Sequence, residues 1–165
     1  MWFRGDTATQ GSQLYKLGFD GSVTKWTAIN PGGGGLGPGD LTDFNDALWF
    51  NGSAPGQGFQ LYKLGSDGSV TKWTALNTGG LGLDPFNLTD FNNAMWFDGV
   101  TASQGIQLYK LGFDGSVTKW TALSTGLAGG LDPTHLFVFN DALWFNGQTA
   151  SGGQLFKLGS DGSVT

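Results

Sequence analysis

The phrase Asp-Gly-Ser-Val-Thr-Lys-Trp occurs at residues 20–26, 67–73 and 114–120, and its first five residues return at 161–165. Asp20, Asp67, Asp114 and Asp161 are therefore each 47 residues apart. Trp2, Trp49 and Trp96 keep the same step, and Trp144 follows after 48, a slip that the Gly-rich stretch 124–135 can absorb. A period of this length marks one supersecondary unit that cannot bury its own apolar faces and must stack on copies of itself. The chain divides into repeats 1–47, 48–94 and 95–142 and a partial repeat 143–165, together one repeat domain.

Each repeat predicts four short strands. "NLTDF" (87–91) alternates apolar and polar residues, as a strand with two different faces does. Asn92-Asn93, like Asn45-Asp46 and Asn140-Asp141, then supplies a two-residue turn of residues that tolerate positive φ. "LWF" follows, then a glycine-containing loop, then "QLYKL", the Asp-Gly turn and "VTKWT". We name these strands A, B, C and D in order. Three hairpins joined to the next copy by about a dozen residues predict an all-β fold: a β-propeller of four-stranded antiparallel blades, about 3.5–4 per chain. In strand B, Leu48 and Phe50 should point one way and Trp49 the other, so both faces are made for burial. The alternative is a β-trefoil, which also uses three four-stranded repeats but leaves no place for an additional half-repeat.

Composition agrees. Thirty glycines, thirteen phenylalanines and seven tryptophans stand beside thirteen aspartates and no glutamate, a turn-and-strand composition. Net charge is −5, Arg4 is the only arginine and the seven lysines are scattered singly, so no basic stripe exists to follow a nucleic-acid backbone. With no cysteine there is neither a disulfide nor a thiolate metal site. The opening "MWFRGDTATQ" has no signal-like apolar core, and no apolar run reaches membrane-spanning length.

The unit "LWFNGSAPGQGFQLYKLGSDGSVTKWTALNTGGLGLDPFNLTDFNNA" resembles the ELWxxDGT (hyalin-like) repeats of bacterial surface and secreted proteins. "QLYKLGSDGS" stands for the ELWxxDGT phrase, "AINPGGGG" (28–35) for the connection and "NLTDFNN" for the final strand. The departures are Gln for the leading Glu, Tyr or Phe for the Trp, and one extra residue before the Asp-Gly turn. The resemblance implies a secreted or cell-surface β-propeller used for adhesion or binding, with no catalytic site and no cofactor.

The individual signals point the same way. Arg4-Gly5-Asp6 spells an integrin tripeptide but occupies the place of "NGS" and "DGV" in other copies, and reads as a loop that happens to hold Arg. Each Asp-Gly turn offers one carboxylate without the D-x-D-x-D-G spacing of a calcium loop, so no metal is expected. The tryptophans, two per repeat at fixed phase, read as packing more than as sugar platforms. Lys16, Lys63, Lys110 and Lys157 read as solvated or cross-strand positions. A single histidine without Cys or Glu gives no acid–base pair, so an enzyme is not expected.

Blade topology gathers the B–C loops and the D–A crossovers on one face, where the copies differ most, and loops on a rigid scaffold are where function concentrates. Asp84, Phe86, Asp132 and His135 are its distinctive side chains and the candidate binding residues, for a glycan or surface ligand. The competing reading is a structural or self-assembling scaffold, natural or engineered, with no small-molecule ligand. Four B and four C strands but only three A and three full D strands leave unpaired edges at both ends. The expected partner is a second copy, a dimer closing an eight-bladed ring, with a monomeric four-bladed ring as runner-up.

Overall fold

The computed structural model describes residues 1–26, 35–53, 58–73, 83–101, 105–120 and 131–165. Most of each D–A crossover and the tips of two B–C loops lie outside the described residues. All regular structure among the described residues is β-strand, and no helix is long and apolar enough to cross a membrane.

Among the described residues fourteen strands form four antiparallel sheets. The first contains β1 (Trp2–Thr7), β2 (Gly11–Leu17) and β3 (Val23–Lys25) in that order. The second contains β4 (Gly39–Phe44), β5 (Ala47–Ser53), β6 (Phe59–Leu64) and β7 (Val70–Lys72). The third contains β8 (Phe86–Phe91), β9 (Ala94–Thr101), β10 (Gly105–Gly112) and β11 (Val117–Lys119). The fourth contains β12 (Thr134–Phe139), β13 (Ala142–Thr149) and β14 (Gly152–Gly159), with one further bridge between Leu158 and Val164. The sheets keep the order A-B-C-D, the first without a strand A and the fourth with only the Val164 bridge in place of strand D, and the strand A of the second, third and fourth sheets comes from the end of the preceding repeat. The chain forms two compact units, Met1–Asp84 and Pro85–Thr165, each holding two sheets.

Local chemistry explains the turns. Asn45-Asp46, Asn92-Asn93 and Asn140-Asp141 all take φ between 48° and 58°, the left-handed pair that a tight hairpin requires. At the C–D turns the Oδ1 of Asp20, Asp67, Asp114 and Asp161 accepts from both the backbone N–H and the hydroxyl of the serine two residues on, at 2.6–3.0 Å. The following glycine sits at φ near +80°.

The two faces of each sheet are chemically distinct, as the alternation in strand B predicts. One face carries a pair of indoles: Trp2–Trp26, Trp49–Trp73 and Trp96–Trp120 meet edge to face at 5.1–5.4 Å between ring centroids. The other carries a stacked pair across strands B and C: Phe3–Tyr15, Phe50–Tyr62, Phe97–Tyr109 and Phe145–Phe156, at 5.6–5.7 Å. Within each unit the tryptophan face of one sheet packs on the phenylalanine face of the next. Trp2, Leu14 and Trp26 meet Leu48, Phe50, Tyr62, Leu64 and Val70, with Leu36 from the connection filling in. Trp96, Leu108 and Trp120 meet Leu143, Phe145, Phe156 and Leu158 in the same way, with Leu131 in the role of Leu36.

The strands of each B–C hairpin run further than the sequence predicts. Asn51-Gly52-Ser53 and Arg4-Gly5-Asp6 are not loop: they continue β5 and β1, paired residue by residue with β6 and β2.

Candidate functional site

Asp84 and Asp132 sit in equivalent positions just before β8 and β12, and Phe86 and His135 lie at the start of those strands. Asp84 and Asp132 follow buried leucines, Leu83 and Leu131, and precede prolines, with φ of 46° and 49°. Gly37 takes the same conformation before β4, so the position is set by backbone geometry that Gly and Asp both satisfy. Asp84 Oδ1 accepts from the backbone N–H of Phe59 at 3.0 Å, and the N–H of Asp132 donates to Ile106 O at 3.1 Å. His135, at φ 56°, matches Asn87 and Asp40, and its ring is exposed. Phe86 is exposed beside the same turn, paired with Asp98. Asp132 lines a cavity of about 520 Å³ with Thr134, Asn146, Gln148, Gln154 and Leu155.

A second cavity, about 430 Å³, opens at the other end of the sheets, beside the A–B and C–D turns. Trp2, Lys16 and Trp26 of the first sheet form one wall; Asp43, Asp46, Leu48 and the turn Gly65–Gly68 of the second form the other. Trp26 reaches over Gly68, where an added Cβ would lie 2.9 Å from its ring. The indole N–H groups of Trp26, Trp73 and Trp120 are buried with no hydrogen-bond partner among the described residues, whereas those of Trp49, Trp96 and Trp144 donate to the carbonyls of Phe44, Phe91 and Phe139 at 3.0–3.1 Å.

The four lysines have found specific seats. Lys16, Lys63, Lys110 and Lys157 lie directly opposite Trp2, Trp49, Trp96 and Trp144 in the B–C ladders, with each ammonium 5.6–5.8 Å from its ring centroid. The cross-strand partner is thus an aromatic ring rather than a carboxylate. The turn aspartates respond to different neighbours. The serine hydroxyl first, and the serine N–H second, hold the carboxyls of Asp20, Asp67, Asp114 and Asp161 below their ordinary range. Burial pushes the phenols of Tyr62 and Tyr109 up. Among the described residues no three His, Asp or Glu side chains converge as a metal site would require.

One arrangement was hidden in the sequence. The residue two places beyond the strand-B tryptophan pairs with the start of strand A in complementary fashion. Asn51 Nδ2 donates to Asp40 Oδ2 at 3.0 Å in the second sheet, and Asn87 Nδ2 donates to Asp98 Oδ1 at 2.6 Å in the third. Arg4 holds that position in the first sheet; its Nε donates to Ser12 Oγ at 3.0 Å and its guanidinium lies 3.9 Å from Asp6. Aligning positions 40 with 87 and 51 with 98 reveals the exchange of carboxylate and amide, but only as a pair.

No family profile matches the chain, and no curated protein matches it. Solved structures do. The chain superposes over 96% of its length on TolB from Acinetobacter baumannii with a TM-score of 0.60 and 16% identity, covering 38% of that chain. A structure described in a study of two prolyl endopeptidases gives a TM-score of 0.63 at 9% identity over 93% of this chain and 22% of that one. Pyrococcus horikoshii acylaminoacyl peptidase gives 0.58 at 16% identity, again covering 93% of this chain and 22% of that one. The chain thus spans between about a fifth and two fifths of these proteins. Four antiparallel sheets of three or four strands and these likenesses define an all-β protein of propeller type.

Proposed function

We propose that this chain is a non-catalytic propeller module whose main activity is to associate with further copies of its own repeat. One observation carries the reading. No sheet among the described residues covers the tryptophan face of the fourth sheet: Phe139 and Leu155 are 58% and 57% exposed, although their counterparts Phe91 and Leu108 are 7% and 0% exposed. At the other end of the chain the phenylalanine face of the first sheet, Phe3, Tyr15 and Val23, is half-buried to exposed where Phe50 and Tyr62 are buried. The two open faces are the two halves of the contact used inside each unit. A dimer that joins them twice closes an eight-bladed ring and leaves no open apolar face. The aspartates that recur in every copy are engaged by serines in turns, which supports a role without catalysis. A secreted or cell-surface setting, with adhesion as the purpose, follows from the resemblance to ELWxxDGT repeats.

Native mass measurement tests this. Twice the 17.4 kDa chain mass is expected, with Phe139→Ser and Leu155→Ser together shifting it to monomer. A monomer mass for the unaltered chain at tens of micromolar overturns the proposal.

A second reading, binding of a glycan or surface ligand at the loop end, is supported by the 520 Å³ cavity beside Asp132 with its amide and hydroxyl groups. A glycan array decides it: saturable binding that Asp132→Ala and Gln154→Ala remove supports this reading, and silence across the array ends it.

A further inference from the structure

We infer that the turn end of the second sheet holds a binding site for a neutral polyhydroxylated ligand, a sugar ring, built from Asp46, Lys63, Ser66, Thr71 and Trp73. The inference goes beyond both readings above: it needs no partner copy, and the site lies beside the A–B and C–D turns rather than at the loop end.

A cavity of about 420 Å³ opens there, and every described residue that lines it belongs to the second sheet. Its walls therefore do not depend on the open faces of the first and fourth sheets. It falls within the roughly 300–1,000 Å³ of ordinary small-molecule sites. Strand register builds one side of it. Thr42, Trp49, Lys63 and Thr71 stand opposite one another across β4, β5, β6 and β7, a row of side chains on one face. The Lys63 ammonium lies 5.7 Å from the Trp49 ring centroid, so the row holds it between that indole and Thr71. The A–B turn brings Asn45 and Asp46 to the cavity, the C–D turn brings Ser66, and Trp73 lines it from just past β7.

The lining offers donors and acceptors together. The Lys63 ammonium and the Trp73 indole donate, the Asp46 carboxylate accepts, and the Ser66 and Thr71 hydroxyls do either. Among the described residues the side chains of Asp46, Ser66 and Thr71 enter no hydrogen bond or ion pair, whereas Asp67 is already held by Ser69. The Trp73 N–H is buried with no acceptor among the described residues, and a ligand oxygen that reached it would satisfy a donor the fold leaves unpaired. Charge selects the class of ligand. Two carboxylates beside one ammonium oppose an anion, and the ammonium opposes a cation. A neutral ring of hydroxyls, each both donor and acceptor, suits every group. The third sheet repeats the row as Thr89, Trp96, Lys110 and Thr118, but Asn93 stands for Asp46 and Phe113 for Ser66, so that copy lacks the carboxylate and one hydroxyl.

The test is to titrate D-glucose, D-galactose, D-mannose and N-acetyl-D-glucosamine, each to tens of millimolar, into the intact chain and to follow the tryptophan indole N–H resonances by NMR. At least one of these sugars is expected to give a saturable shift, largest at the signal that Trp73→Phe removes. Lys63→Met keeps the aliphatic stem on Trp49, and Asp46→Asn installs a residue that the third sheet already uses at that turn. Each should weaken binding about tenfold, the loss of one charge-assisted hydrogen bond. No saturable shift with any of these sugars overturns the site. So does a shift that both variants leave unchanged, or one that Asp132→Ala removes, which would place the sugar at the loop end. Sodium sulfate saturating the same indole signal more tightly than every sugar overturns the neutral class of ligand.

Discussion

The third and fourth sheets are built from nearly the same words, yet they bury different things. Leu108 and Leu155 both stand in "QL" on strand C, and Phe91 and Phe139 both end strand A. In the third sheet these residues lie in the core; in the fourth they face solvent. Nothing in either sheet's own sequence accounts for this. The fourth sheet covers the third, and no sheet among the described residues covers the fourth. In a repeat architecture, burial is a property of a sheet's neighbour as much as of its residues.

The sharpest way to break the comparison is to truncate the paired leucines. Leu108→Ala should cost about 2–5 kcal/mol, because it opens a cavity under Trp96 and Phe145, while Leu155→Ala in the monomer should stay within about 0.5 kcal/mol. Urea unfolding of both variants checks this, and equal losses would mean that the fourth sheet's face is covered. A smaller effect concerns two glycines in identical turns. Gly21 and Gly68 share φ of 79° and 81°, but an added Cβ meets nothing within 4 Å at Gly21 and meets the Trp26 ring at Gly68. Gly21→Ala should therefore cost about 1 kcal/mol from backbone strain alone, and Gly68→Ala about 1–3 kcal/mol more from displaced packing. Thermal melts of the two variants read the difference directly.

The smallest expected effect should not distinguish the sheets at all. All four turn aspartates are held below their ordinary value of 3.8 by serine. Because the folded carboxyl is the stronger acid, its contribution is fully present above that value and fades as pH falls through the lowered one. Replacing the partner serines Ser22, Ser69, Ser116 and Ser163 with alanine should flatten the acid limb of a stability–pH profile by similar small steps, since all four carboxyls are exposed.

Much of this architecture is legible in the sequence. The 47-residue step, the Asn-Asp and Asp-Gly turns and the aromatic alternation lead to four strands per repeat, in order A to D, with distinct faces. These features are local, and local chemistry decides them. The site was less legible. Asp84, Asp132 and His135 drew attention because they vary among otherwise similar copies. All three take left-handed backbone, Asp84 and Asp132 at the position that Gly37 holds before β4, and His135 at the position that Asn87 and Asp40 hold in their strands. At Asn51-Gly52-Ser53 the glycine suggests a loop, whereas strand C continues to pair past it. The lysine seats depend on cross-strand register, and the Asp40–Asn51 pair on residues eleven positions apart. Neither is visible until the hairpins are zipped.

The contact of Trp26 with the Gly68 turn has a consequence for how such an array can change. Trp26 closes one copy of the heptapeptide, and Gly68 belongs to the opening Asp-Gly of the next; Trp120 stands in the same relation to Gly162, at 4.0 Å. One short word therefore carries both the plug and the socket of the joint between sheets. A duplicated unit arrives already matched to both neighbours, so units can be added, lost or reordered without a compensating change elsewhere. A lone mutation of plug or socket, by contrast, injures a single joint and leaves the others intact.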